Sequence, residues 1–199
     1  MKRIEAIDEK PDGRRARGHE NRRRIVEAML HLIGEGGISP SAEDVATRAE
    51  VGLRTVFRHF DDMDSLYREI SEMMMAELMP IAAAPLPDGD WQLRMTEMVE
   101  RRARVFEKMM PFKVAADVHR HRSAYLRDEQ VQLTTMQRQS LRHALPPDLR
   151  KSGPVFESLD LLFSFDSWRR LRQEQGLSVA QAKKVVLFAV AALVEGGKA

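Results

Sequence analysis

The chain has no cysteine among its 199 residues. That excludes a disulfide framework, a thiol nucleophile and a thiolate metal site. Aromatic residues are sparse, at 6%. Long apolar runs are missing too. The longest, VVLFAVAALV at Val185–Val194, falls well short of the ~20 residues that cross a bilayer. It reads as a buried helix, and no membrane partner is expected. Met1–Gly18 lacks the apolar stretch of a secretory signal. With 43% hydrophobic and 31% charged residues, the chain suits a cytoplasmic protein of one large domain or two small ones.

Catalytic signatures are also absent. No carboxylates pair on one helix face, and there is no Ser–His–Asp set or glycine-rich phosphate loop. His119 and His121 lie two apart, on opposite sides of a helix, and cannot chelate one metal. The chain is therefore expected to be no enzyme and to need no cofactor or metal.

Charge is more informative in its distribution than in its sum. The net charge is +2, yet Arg14, Arg15, Arg17, Arg22, Arg23 and Arg24 face a single nearby acid, Glu20. Such a block is a solvated face or a nucleic-acid arm.

Only helical periods occur, which predicts an all-α fold. A first helix over about 20–35 carries Ile25, Ala28, Met29, Leu32 and Ile33 on one face. The segment GEGGISPS ends it. Ser41 with Asp44 has capping-box spacing and opens a second helix, 42–49. A turn at Glu50–Gly52 leads to a third helix, 53–60, and Asp62 caps a fourth that reaches about Met79. Asp61, Asp62 and Asp64 therefore read as capping residues rather than a cation site. Two short helices joined by a tight turn form a helix-turn-helix. In the third helix Val56, Phe57 and Phe60 are read as anchors. Leu53, Arg54, Thr55, Arg58 and His59 remain to meet phosphates and base edges in a major groove.

From about Asn21 to Tyr67 the sequence resembles the TetR family of bacterial transcription regulators. The likeness lies in RRRIVEAMLHLIGEGG, SAEDVATRAEVG and RTVFRHFDDMDSLY. It extends to SWRRLRQEQGLSVAQAKKVV near the C-terminus. The resemblance implies a helical homodimer whose N-terminal module binds double-stranded operator DNA. The C-terminal module would bind a small-molecule effector and dimerise. Carried onto this chain, the DNA-binding set is Arg14, Arg15, Arg17, Arg22, Ser41, Leu53, Arg54, Thr55, Phe57, Arg58 and His59. Three positions depart from the family pattern. Glu50 replaces a turn glycine, Phe57 replaces an aromatic that carries a hydroxyl, and Met63 replaces a lysine. The loss of two phosphate contacts should weaken electrostatic binding.

Beyond the linker PIAAAPLPDGD, Asp90 caps a helix from Trp91 to about Met109. Arg102 falls within its apolar stripe. It is either a buried ion-pair member, with Asp117 or Asp166 as partner, or an anchor for an acidic ligand. The methionines around it suit plain core or a pocket for varied apolar ligands. His119 is either a satisfied core histidine or a pocket member. The candidate ligand set is Met74, Met95, Met98, Arg102 and His119. A helix over 156–173 carries two apolar faces, and Ser178 with Gln181 caps a last helix. Surplus apolar surface there predicts a symmetric four-helix interface through Leu161, Phe165, Trp168, Ala182, Val186, Ala189 and Leu193.

The expected organisation is a disordered basic arm over 1–18, a three-helix helix-turn-helix domain over 19–66, and an effector-binding and dimerisation domain over 67–199. The expected function is a ligand-responsive repressor that binds operator DNA as a homodimer. The alternatives are a helical protein-interaction module and a small-molecule-binding enzyme without DNA binding.

Overall fold

The computed structural model describes residues 13–151 and 153–196. In order they form α1 (Gly13–Gly34), α2 (Ala42–Arg48), α3 (Leu53–His59), α4 (Met63–Ala82), α5 (Trp91–His119) and α6 (Ala124–Ala144). Then come α7 (Pro147–Lys151), α8 (Gly153–Leu162), α9 (Phe165–Arg169), a π-helical turn (Arg170–Glu174) and α10 (Val179–Gly196). No strand occurs among the described residues. The chain divides into two compact units, Met1–Ile70 and Ser71–Ala199. That division falls inside α4, about one turn beyond the boundary read from the sequence.

In the N-terminal unit α1 packs on α2 and α3, and α2 packs on α3. Ile25, Met29, Val45, Val56, Phe60 and Leu66 are all buried. Each such side chain contributes roughly 1.5–3 kcal/mol on burial. Helices as short as α2 and α3 would not persist alone; tertiary packing sustains them. Two details differ from the sequence reading. Phe57 is 46% exposed, so Val56 and Phe60 alone anchor α3. Also, α1 starts at Gly13 rather than near Glu20. Residues 13–18, expected in a disordered arm, are helical, as an arginine-rich segment allows. Arg15 and Arg17 are exposed on this first stretch. Residues 1–12 of the expected arm, and the Arg14 side chain, lie outside the described residues.

α1 and α2 end in the same way. Gly37 N–H donates to Leu32 O at 2.9 Å and Gly36 N–H to Ile33 O at 3.0 Å. Val51 N–H donates to Ala46 O at 3.0 Å and Glu50 N–H to Thr47 O at 3.2 Å. Both are Schellman closures, which place one residue in the left-handed region. After α1 that residue is Gly36, with φ 97°; after α2 it is Glu50, with φ 52°. A side chain there costs about 1–2 kcal/mol that glycine avoids. Glu50 gains little in return, because its pairing with Arg24 at 3.1 Å is solvent-exposed. Glu50→Gly should therefore stabilise the N-terminal unit by about 1 kcal/mol, after the added unfolded-state freedom of glycine is deducted. Thermal melts of the two chains check this, and an unchanged or lowered midpoint would count against it.

In the C-terminal unit one core cluster joins Met95 and Val99 of α5, Leu141 of α6, Phe156 and Leu159 of α8, and Val186 and Val190 of α10. A second joins Ala103, Phe106 and Met110 of α5 to Phe165 and Trp168 of α9 and Ala182 of α10. Phe106 and Phe165 meet edge to face, with centroids 5.6 Å apart. α5 continues through Pro111 to His119, ten residues past the expected end at Met109. Pro111 has no N–H to donate, but it sits on the exposed side while Phe112, Ala115 and Ala116 are buried.

The expected single helix over 156–173 is broken. Ser164 Oγ accepts from the Ser167 N–H at 3.2 Å and starts α9 afresh. This restart brings Phe165 and Trp168 into their own unit's core, where Ala182 and Val186 are buried as well. These four residues, predicted for a dimer interface, are interior. Ala189 and Leu193 are half-buried. Leu161 is 65% exposed, as a surface role requires. The exposed stripe of α10 is instead Val185, Phe188 and Ala192, with Phe188 at 76%.

Candidate functional site

α3 presents Leu53, Arg54, Phe57 and Arg58 to solvent, while Thr55 and His59 are half-buried. Arg54 and Arg58 lie one turn apart on the same side. Among the described residues neither is paired with a carboxylate, whereas Arg22, Arg23, Arg24 and Arg48 all are. The uncompensated charge of the unit thus gathers on α3 and on the first turns of α1.

Arg22 has a different task from the one read in the sequence. Its guanidinium forms a two-pronged pair with Glu69 of α4. It donates to the His59 carbonyl at 2.5 Å and lies 4.3 Å from the centre of the Phe60 ring. A cation at the end of α3 also meets the negative pole of that helix. Arg22 therefore ties α1, α3 and α4 together within the unit. Ser41 is likewise committed. Its hydroxyl donates to Asp44 Oδ2 at 2.8 Å and accepts from the Asp44 N–H at 3.1 Å, closing the predicted capping box. The Ser41 backbone N–H, more than its hydroxyl, holds the Asp44 carboxyl below the usual range. Burial, and then the charges of Arg58 and Arg22, hold the His59 imidazole below its ordinary pKa. His59 is therefore a neutral group on α3 at pH 7 rather than a third cation. Asp62 caps α4 as expected, accepting from the Ser65 N–H at 2.8 Å.

The C-terminal unit encloses a cavity of about 360 Å³. It is lined from the end of α4 by Met75 and Met79, from α5 by Met98, Arg101, Arg102 and Met109, and from α6 by Met136 and Gln137. Such a volume lies at the lower end of the roughly 300–1,000 Å³ range for small-molecule sites. Of the predicted ligand set, Met98 and Arg102 line it. Met95 is packed in the core instead. Met74 borders a smaller neighbouring space of about 20 Å³ beside Lys113 and Asp117. His119, at the end of α5, lines neither space.

Arg102 pairs with neither Asp117 nor Asp166. It donates to the Phe163 carbonyl at 2.6 Å and to the Gln137 carbonyl at 2.7 Å. Its guanidinium stands 5.2 Å from the Phe163 ring centre. Burial pushes it down to about 10, with Asp160 partly opposing the shift. Arg101, not a candidate from the sequence, is buried, donating to the carbonyls of Ala84 and Pro85, because the linker after α4 folds over it. Leu133, Met136, Gln137, Ser140 and His143 of α6 were missed. Their three- and four-residue spacing formed a readable stripe, but its polar members looked like a solvent face.

Comparison with known proteins decides the N-terminal unit. Residues 25–70 match the model of bacterial regulatory proteins, tetR family. Residues 25–70 are a regulatory module of the tetR family. The match ends where the first compact unit does, so the helix-turn-helix of α2 and α3 is the TetR-family DNA-binding element.

Solved structures share this fold over nearly the whole length. A transcriptional regulator from Rhodococcus sp. Rha1 superposes with TM-score 0.65 at 15% identity, covering 90% of this chain and 96% of that one. A putative transcriptional regulator from Streptomyces coelicolor A3(2) gives 0.59 at 21%, with 87% and 98% covered. The multidrug binding protein EbrR, complexed with imidazole, gives 0.57 at 19%, with 96% and 97% covered. At these identities the likeness is one of fold. No curated protein matches the chain in sequence. Among the described residues, no helix is long and apolar enough to cross a membrane.

Proposed function

We propose that this TetR-family regulator is a homodimeric, ligand-responsive repressor of operator DNA. The observation that carries the reading is the cavity beneath α4. That helix begins in the DNA-binding unit at Met63 and supplies Met75 and Met79 to the cavity wall. A ligand seated there contacts a helix that is continuous with the DNA-binding unit. Binding releases DNA only if the ligand prefers the conformation that fits the operator less well; couplings of about 1–3 kcal/mol are typical. EbrR, a multidrug binding protein with imidazole bound, supports a small-molecule role for a unit of this fold.

Residues 71–199 are accordingly the effector-binding and dimerisation unit. The exposed apolar side chains of α8 and α10 support self-association, since a twofold contact presents the same patch from both subunits. Two α3 helices would then enter successive major grooves about 34 Å apart. Arg54, Thr55, Phe57 and Arg58 are the proposed readers, with Arg15 and Arg17 as added phosphate contacts. The test is selection of bound fragments from the source genome, followed by gel shifts with candidate ligands suggested by the neighbouring genes. A shared palindromic site released by one of those ligands is expected. No enrichment over bulk DNA would refute the operator reading; enrichment that no ligand ever relieves would refute the response.

A further inference from the structure

We infer that the cavity selects organic anions: its ligand is an amphipathic carboxylate whose head meets Arg102 and whose body lies among the methionines. The inference rests on the effector-site reading above and names the ligand class.

The first ground is the charge of the wall. Arg101 and Arg102 both line the cavity, and none of its lining residues is Asp or Glu. The second is the poor neutralisation of those arginines. The described hydrogen bonds of Arg102 go only to two backbone carbonyls. Asp160, the acid closest in effect, is already bonded to Arg138 at 2.6 Å. Glu97 reaches Arg101 only at 3.4 Å and is shared with Arg104 at 3.4 Å. A half-buried cation held by neutral dipoles is costly, and depression of its pKa follows from that cost. The remaining N–H donors of the Arg102 fork have no partner among the described residues. A planar carboxylate matches such a fork in shape and charge.

The third ground is the remainder of the wall. Thioethers of Met75, Met79, Met98, Met109 and Met136 adapt to an apolar body of variable shape. Gln137, Ser140 and His143 add polar atoms but no anion. A cationic ligand would face two guanidiniums with no carboxylate to receive it. A neutral ligand would leave the buried charge uncompensated.

Calorimetric titration of the full chain with three ten-carbon probes below their micelle concentrations tests this: decanoate, decanol and decyltrimethylammonium. Decanoate should bind at least about tenfold more tightly than either of the others, as expected for a charge-assisted hydrogen bond. Arg102→Met should remove that preference while leaving decanol binding unchanged. Arg102→Gln is the second variant, since its amide can still donate to a carbonyl if the methionine chain misfolds. Equal or tighter binding of decanol or decyltrimethylammonium by the unaltered chain overturns anion selection and leaves a ligand site in place. Retention of the decanoate preference in a folded Arg102 variant also overturns it. If none of the three binds, both the inference and the effector-site reading fall. The comparison within the unaltered chain needs no variant to fold.

Discussion

Replacing Arg54 and Arg58 together with alanine is expected to abolish specific operator binding under conditions where the unaltered chain binds. Each arginine that reads a base should cost about 1–3 kcal/mol, so the pair should weaken binding by between about thirtyfold and twenty-thousandfold. The fold should not suffer, because both side chains are exposed and unpaired among the described residues, while Val56 and Phe60 hold α3 from below. Gel shifts on the selected operator and on scrambled DNA over a salt series provide the measurement. Loss on the operator with a smaller loss on scrambled DNA assigns the arginines to base reading. Equal losses with a flatter salt dependence assign them to phosphates. Unchanged operator binding by the double variant would remove α3 from the interface.

The second large effect concerns assembly. Phe188→Asp should convert the proposed dimer to a monomer and weaken operator binding by orders of magnitude. Phe188 is 76% exposed on α10, on the side opposite buried Ala182, Val186 and Val190. A carboxylate there leaves the protomer's core untouched. In a twofold interface the same substitution acts on both subunits, so two charges replace two rings. Half-site binding then loses the advantage of linkage, in which the second contact is intramolecular. Sedimentation at micromolar concentration and gel shifts report the two consequences. A variant that still sediments as a dimer would place the interface elsewhere.

Local signals in the sequence were dependable. The capping boxes at Ser41 and Ser178 both form, the latter with the Ser178 N–H on Gln181 Oε1 at 2.9 Å. Each needs only a few neighbouring residues, so context cannot easily override it. The errors arose where packing decides. Phe57 is next to Val56 in sequence but about 100° away around the helix, and so narrow a buried face has no room for both it and Phe60. Pro111 carries a high local cost inside α5. The buried residues on either side outweigh that cost. Between residues 156 and 173 the apolar period runs on without a flaw, and only the hydroxyl of Ser164 marks the restart.

The DNA-binding unit was more legible than the cavity for the same reason. A helix-turn-helix is written in one contiguous segment, from Ile25 to Ile70 in the family match. The cavity is a gap between helices from distant parts of the chain, and a gap has no residue of its own. Arg102 betrayed it because a cation within an apolar stripe is conspicuous. Arg101 did not, since its cover is a linker whose path no periodicity describes.

The glutamate that closes α2 carries a genetic consequence. Glutamate codons become glycine codons by a single base change, so relief of the left-handed strain at Glu50 lies one mutation away. A population grown under heat, with the folded protein required for survival, should reach that substitution early and repeatedly. The reverse step at Gly36 should be rare, because the same left-handed geometry would then be imposed on a second side chain. Two positions with one backbone shape would thus show opposite mutational fates.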